Sequence, residues 1–206
     1  MKKYFITGTD TDIGKSVVSA LLTMVFDASY WKPIQSGSSD LLQVKKWTQL
    51  PDERFFPSSY YLQAPLSPDQ AAKQEGITID LEKCILPDTK QTLIVEGAGG
   101  VFAPLNQDQR MIDLIKKLNI PVIIVARGTL GTINHTLLTI EALRAREIPI
   151  RGIVFNGELN PDNQTAIESW GKVKTLFHVP RFKEINNEVL QSWIKHRNKY
   201  YDHPAT

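Results

Sequence analysis

Gly8-Thr9-Asp10-Thr11-Asp12-Ile13-Gly14-Lys15-Ser16 is the stretch of this chain with the clearest chemistry. Two glycines bracket five residues and lead into Lys-Ser, the composition of a loop that cradles phosphate. Glycine lets backbone amides turn towards an anion. A helix beginning at the end of the loop adds unpaired N–H groups and the positive end of its dipole. Lys15 can reach terminal phosphates, and the Ser16 hydroxyl can ligate Mg²⁺. An ordinary P-loop has four residues between its first glycine and Gly-Lys; this chain has five, Thr9 to Ile13. Further along, Lys32 stands before Pro33 and Ser36 before Gly37, while Glu96 opens Glu-Gly-Ala-Gly-Gly. An acid followed by small residues permits close approach of a ligand to the backbone. Plainer readings exist: Lys32 as a solvated lysine at a strand end, and Glu96 as a solvated acid before a Gly-rich turn. Asp40 reads as the N-cap of a short helix, which does not exclude a metal role. His135 reads as a capping or core-edge histidine, and no Ser-His-Asp arrangement accompanies it.

These residues need elements to hold them. Tyr4-Phe5-Ile6 is a short apolar run before the loop, and Val17 to Leu22 is helix-like after it, giving the strand–loop–helix context of a P-loop. Residues 29–32 form a short strand, and Pro33 and Gly37 then impose a turn. A helix follows from Asp40 to about Leu50. Residues 51–68, rich in Pro, Ser and aromatics, form an ordered excursion. Ser67-Pro68 opens a helix to about Glu75, which Gly76 stops. Strands follow at 92–95, 122–126 and 150–155, and the continuous apolar run of the first predicts burial on both faces, as in a parallel sheet. A weaker strand covers 175–177. Helices fill the intervals at 111–118, to about 146, at 162–173 and at 187–195, with Ile133, Leu137 and Ile140 on one face of the third-last of them. About six strands alternating with helices predict an α/β fold: a mostly parallel central sheet flanked by helices on both faces. Gly8 to Ser16, Lys32, Glu96, Asn134, Asn156 and Pro180 all follow predicted strands. One connectivity brings them to a single rim, the end at which open α/β sheets bind ligands.

The 206 residues suit one domain with a sizeable core, residues 1–206, with the last ten as a polar, fraying tail. A formal net charge of +2 does not imply a broad nucleic-acid-binding surface. Arg144, Arg146 and the run Lys195 to Lys199 read as solvated faces. No apolar run approaches the roughly 20 residues that cross a bilayer, and the N-terminus is not signal-like. The single cysteine, Cys84, reads as a core filler and excludes an internal disulfide. The four tryptophans read as packing residues. Together these features predict a soluble cytoplasmic protein with no membrane or nucleic-acid partner.

In combination the motifs resemble dethiobiotin synthetase. Gly8 to Ser16 is similar to that family's long P-loop, Gly-Thr-Asp-Thr-acid-x-Gly-Lys-Thr/Ser, extra residue included, with Asp12 where the family more often has Glu. Lys32-Pro33-Ile34-Gln35-Ser36-Gly37 resembles its Lys-Pro-x-x-Ser-Gly, and Val95 to Gly100 its Val-Glu-Gly-Ala-Gly-Gly. Leu130-Gly131-Thr132-Ile133-Asn134-His135 resembles its Leu-Gly-x-Ile-Asn-His, and Asn156 its strand-end asparagine. The matches run in order from residue 4 to about residue 182. The resemblance implies the P-loop NTPase fold and an ATP- and Mg²⁺-dependent ligase of biotin biosynthesis. Such an enzyme closes 7,8-diaminononanoate (7,8-diaminopelargonate) with CO₂ to dethiobiotin, ADP and phosphate, through a carbamate and a carbamic–phosphoric anhydride. It further implies Lys15 and Lys32 as catalytic residues and Ser16, Asp40 and Glu96 as Mg²⁺ ligands. Implied ATP contacts are Asp12 to Val17 (with Ile13 and Gly14), Asp40, Glu96, Gly97, Ala98, Gly99, Asn156, Gly157, Pro180, Arg181, Phe182 and Glu188. Implied substrate contacts are Thr11, Lys32 and Ser36, with Leu130, Gly131 and Asn134 supplied by the partner subunit of a homodimer.

Two rivals share parts of this pattern. Regulatory P-loop ATPases of the partitioning or cell-division type have the same kind of sheet, but their loops usually carry a lysine after the first glycine, where this chain has Thr9. Amidating ligases of larger carboxylates generally carry a glutaminase domain with a catalytic cysteine, for which 206 residues and Cys84 alone leave no room.

Overall fold

The apolar runs at 4–6, 93–95, 122–126 and 153–155 become parts of four adjacent strands inside one parallel sheet. The computed structural model describes residues 1–197; the expected polar tail lies outside the described residues from 198 onward. In chain order the strands are β1 (Lys3–Gly8), β2 (Ser29–Trp31), β3 (Ile34–Ser36), β4 (Phe55–Phe56), β5 (Tyr60–Leu62), β6 (Leu93–Gly100), β7 (Val122–Arg127), β8 (Ile150–Asn156) and β9 (Thr175–Val179). The helices are α1 (Lys15–Val25), α2 (Asp40–Thr48), α3 (Pro68–Gln74), α4 (Met111–Leu118), α5 (Thr132–Arg144), α6 (Pro161–Gly171) and α7 (Asn187–Arg197).

Seven strands pair in the order β4-β2-β6-β1-β7-β8-β9, all parallel. Successive side chains leave a strand on opposite faces, so a strand buried on both sides must be apolar throughout. Phe5, Val95 and Ile124 enter one hydrophobic cluster with residues of α3, α4, α5 and α6. Tyr4, Ile6, Ile94 and Val125 enter the other with residues of α1, α2 and α7. The expected parallel sheet with helices on both faces is therefore present. The chain runs outward from β1 to β2 and β4, returns to β6, then crosses to β7 on the far side of β1. Strand order reverses around β1, and such a reversal opens a crevice at the carboxyl ends of the strands.

Some elements differ from the sequence reading. Among the described residues nine strands form where about six were expected. The excursion at 51–68 contributes the edge strand β4 and also β5, which pairs with β3 in a separate two-stranded sheet. The expected turn at 33–37 thus contains a strand: the Pro33 carbonyl accepts the Tyr60 N–H at 3.0 Å, and residues 34–36 continue the pairing. Strand β6 continues through its glycines to Gly100, because small residues can lie close against β1, where Gly100 pairs with Gly8. Trp170 does not pack; it is 77% exposed on α6. Arg144 does not merely face solvent, but donates to the Gly171 and Lys172 carbonyls at the end of α6, where a helix C-terminus favours a cation. Cys84 is buried, as expected of a filler.

Candidate active site

The loop after β1 turns through two left-handed residues, Asp12 (φ 55°) and Gly14 (φ 91°), before α1 begins at Lys15. Aspartate tolerates that region better than most residues, and glycine adopts it freely. Three strand ends brace the loop. Arg127, closing β7, meets the Asp10 carboxylate at 2.6 Å. Asn156, closing β8, donates to the Ile13 carbonyl at 2.9 Å. Gly100, closing β6, lies beside Gly8. Lys15 folds back along the loop and donates to the Asp10 carbonyl at 3.0 Å.

Beside the loop sits a compact charged cluster. Period-two geometry puts Glu96 on the same face of β6 as Ile94, the face covered by α1, so its carboxylate meets Ser16 at 2.8 Å. Lys32, one residue beyond β2, bridges Asp40 (2.6 Å) and Glu96 (3.0 Å). Both Lys32 and Glu96 are buried, so the solvated strand-end readings do not hold for either. Asp40 is not the helix cap. Ser39 accepts the Leu42 N–H as N-cap of α2, which leaves the Asp40 side chain free to accept from Ser16 at 2.9 Å. Gln35 holds this corner, accepting the Asp40 N–H and donating to the Ser36 and Ser38 carbonyls.

Burial and charge pull against each other here. Burial lowers the pKa of Lys32, but Glu96 and Asp40 together outweigh it and the net shift is upward. Burial also lowers Lys15; Glu96 opposes this, Lys32 adds to it, and the net shift is downward. For Asp40, burial raises the pKa, while the Lys32 charge and hydrogen bonds from Lys32 and Ser16 more than reverse it. A carboxylate with a depressed folded pKa stabilises above its unfolded value, near 3.8, and loses that contribution as pH falls through the folded value. Lys32 supplies the converse: its contribution is full below 10.5 and fades as pH rises through its folded value. Asp40→Asn should therefore be less stable than wild type at neutral pH, with the gap closing below about pH 3.8 in thermal unfolding curves. A gap that stays constant down to low pH would contradict this pairing.

A cavity of about 1140 Å³ opens over the cluster. Thr11, Asp12, Gly14, Lys15, Ser16, Val17, Lys32, Ser36, Asp40, Glu96, Ala98 and Gly99 all line it. Its far walls come from Leu66 and Pro68, from Phe102 and Pro104, and from His135 and Leu138 on α5. His135 is thus an exposed cavity residue rather than a cap or core-edge group. The Ser36 hydroxyl is buried with no hydrogen-bond partner among the described residues. Other candidates lie apart from this cavity. Ile13 and Gly97 are buried behind it. Asn156 and Gly157, with Pro180, Arg181 and Phe182, occupy the ends of β8 and β9, and Glu188 is exposed on α7. Leu130, Gly131 and Asn134 are exposed at the start of α5, Leu130 completely. Tyr30, Gln35 and Arg127 were not singled out by sequence. Each contacts a site residue through a neighbouring strand or loop, and the sequence signal is for Tyr30 alone, two residues before Lys32 and so on the same side of an extended chain.

Ser16 Oγ stands within hydrogen-bond distance of both Asp40 Oδ1 and Glu96 Oε1, yet one hydroxyl hydrogen serves only one of them. The three oxygens therefore direct surplus lone pairs at one another. Two carboxylates and a hydroxyl are hard donors of the kind Mg²⁺ takes, with its other positions left to water and substrate phosphates. The residues fit that ion.

A parallel sheet, a long P-loop after its central strand and a lysine–oxygen cluster at its switch point define a P-loop nucleotide-binding α/β protein. A family model described as "AAA domain" matches residues 2–189. Among solved structures, a ParA family ATPase from Chlorobium tepidum is similar with a TM-score of 0.56 at 13% identity, over 95% of this chain and 98% of that one. A chain of the MinC:MinD cell division protein complex from Aquifex aeolicus gives 0.54 at 11% identity, over 100% and 99%. At such identities the likeness shows the fold alone. Sequence relatives go further. The chain is 48% identical to the ATP-dependent dethiobiotin synthetase BioD of Paramagnetospirillum magneticum over 87% of this chain and 88% of that one. It is 45% identical to the protein of the same name from Rhodopseudomonas palustris, over 93% and 91%. It is also 45% identical to the biotin biosynthesis bifunctional protein BioCD of Bordetella avium, of whose length it spans 42%. The chain belongs to the dethiobiotin synthetase family, a family of ATP-dependent ligases, and the regulatory-switch alternative is not favoured. Among the described residues no helix is long and apolar enough to cross a membrane.

Proposed function

We propose that this protein closes 7,8-diaminononanoate and CO₂ into dethiobiotin at the expense of ATP, the penultimate step of biotin biosynthesis. The observation that carries the reading is Lys32 held between Asp40 and Glu96, with Lys15 and Ser16 alongside, at the floor of a cavity large enough for a nucleotide and a second ligand. One amine of the substrate takes up CO₂ as a carbamate and loses a proton. A carbamate oxygen attacks the γ-phosphorus, and ADP leaves. The second amine then attacks the carbamoyl carbon, and phosphate leaves as the ring closes. Two anions must meet for this, so the chain's task is to gather them and neutralise the charge shared between them. Lys15 from the loop side and Lys32 from the β2 side would do so. Ser16, Asp40 and Glu96 would hold Mg²⁺, which when bound neutralises charge on the phosphates. Thr11 and the orphaned Ser36 hydroxyl supply polar contacts for the carbamate end. Asn156, Gly157 and the 180–182 segment, with Glu188, are the proposed purine side of the site.

The active unit is proposed to be a homodimer, since Leu130 at the head of α5 is an apolar side chain wholly in solvent and Asn134 beside it is exposed. Segment 130–134 of a second copy would then receive the substrate carboxylate. Burying one leucine is worth about 2 kcal/mol, so Leu130→Glu should weaken the dimer in sedimentation about tenfold or more and raise KM for the diamine. A fully active wild-type monomer at assay concentration would overturn this.

The function itself is tested by incubating the protein with ATP, Mg²⁺, bicarbonate and the diamine, following phosphate release and product mass. Phosphate that appears only with the diamine, together with the mass of the cyclic urea, is the expected result. Hydrolysis that ignores the diamine would refute the reading.

A further inference from the structure

The two oxygens of Glu96 are committed to different neighbours. Oε1 faces Ser16 Oγ (2.8 Å) and Lys32 Nζ (3.0 Å), whereas Oε2 accepts a hydrogen bond from the Tyr30 hydroxyl at 3.0 Å. Register explains the arrangement. Tyr30 on β2 lies beside Ile94 on β6, two residues before Glu96 and on the same face of the sheet. Lys32 follows Tyr30 by two residues, one beyond the end of β2, so this segment addresses one carboxylate twice: Lys32 on the cavity side, Tyr30 from behind. The tyrosine is fully buried, its ring tilted against Phe55 with centroids 6.3 Å apart. The last torsion of a glutamate is broad and roughly two-fold. Among the described residues the Tyr30 hydroxyl is the hydrogen-bond donor to Oε2, and it restrains that side of the carboxylate so that Oε1 keeps facing Ser16 and Lys32.

We propose that Tyr30 is a positioning residue for the reaction: its hydroxyl fixes the plane of the Glu96 carboxylate and so the oxygen that Glu96 presents to Mg²⁺. This rests on the reading of the cluster as the Mg²⁺·ATP site. Partners of metal-ligating groups contribute about 10- to 100-fold in metal affinity or activity.

Tyr30→Phe removes one oxygen and leaves the ring in the core. Calorimetric titration with ADP, in Mg²⁺ and in EDTA, reads the Mg²⁺-dependent gain in nucleotide affinity without turnover. The expected result is wild-type affinity in EDTA and a gain about tenfold smaller than that of wild type. Glu96→Gln and the double variant Tyr30→Phe/Glu96→Gln should bind Mg²⁺·ADP equally, because the hydroxyl acts only through that carboxylate. Phe55→Leu, which loosens the same packing and spares the hydroxyl, should keep the full gain. Four results would overturn the proposal: an undiminished gain in Tyr30→Phe, an equal loss in Phe55→Leu, a further loss in the double variant, or a Tyr30→Phe protein that does not fold. Wild-type protein whose ADP binding ignores Mg²⁺ would instead remove the site reading on which the proposal rests.

Discussion

Lys32→Ala should lower turnover about 10²- to 10³-fold, the range for removing one group that stabilises charge in a transition state, while ADP still binds. Lys32 meets two carboxylates from the β2 side, whereas the loop amides and Lys15 form a separate wall of the site. Losing Lys32 therefore leaves the phosphate cradle standing. The same change should also destabilise the protein. It leaves the fully buried Glu96 beside Asp40 with no cation between them, and breaking a buried ion pair from one side costs about 3–5 kcal/mol. Lys32→Met keeps most of the buried volume and loses the charge with its hydrogen bonds to Asp40 and Glu96, so the difference between the two variants reports the lost volume. Steady-state kinetics, ADP calorimetry and urea unfolding on the two variants decide the matter. Near-normal turnover in either variant would take Lys32 out of the chemistry.

The second large effect is expected at Gly14. A Cβ there would collide with Asn156 Nδ2, and φ of 91° is left-handed. Placing a side chain in that region costs about 1–2 kcal/mol, and displacing Asn156 removes its bond to Ile13, a further 1 kcal/mol or about that. If the loop must recover its native turn to bind nucleotide, Gly14→Ala weakens ADP binding about 30- to 100-fold, at roughly 1.4 kcal/mol per tenfold. Asn156→Ala removes the collision but also a residue of the proposed purine side and its bond to Ile13, so the double variant is compared with Asn156→Ala alone: adding Gly14→Ala to that background should cost less than it does in wild type, because only the left-handed strain remains. Wild-type affinity in Gly14→Ala would show that the loop reaches its binding conformation by another route.

Fold and site were legible to different depths, for reasons that particular residues illustrate. Strands β6 and β7 announce themselves because burial on both faces demands an uninterrupted apolar run, a property of the local sequence, and β8 carries a shorter run of the same kind at 153–155. The P-loop is equally local, since its glycines, lysine and serine do their work within nine consecutive residues. Strands β3, β4 and β5 carry no such signal: each has two or three residues and exists only because another strand lies beside it. Asp40 shows a subtler limit. Either Ser39 or Asp40 can cap a helix, and the choice of Ser39 leaves Asp40 free for Ser16 and Lys32.

By itself, then, the sequence determined the parallel α/β class, the phosphate loop and the polar residues that end strands, because periodicity, glycine and charge act over a few residues. Tertiary structure alone decided which of those strand ends meet. Crossovers of 12 or more residues bring β2, β6 and β1 side by side, and only that order sets Lys32 between Asp40 and Glu96, Tyr30 behind Glu96 and Arg127 against Asp10. No short-range pattern encodes those neighbours, since each pair is joined through the packing of the whole sheet.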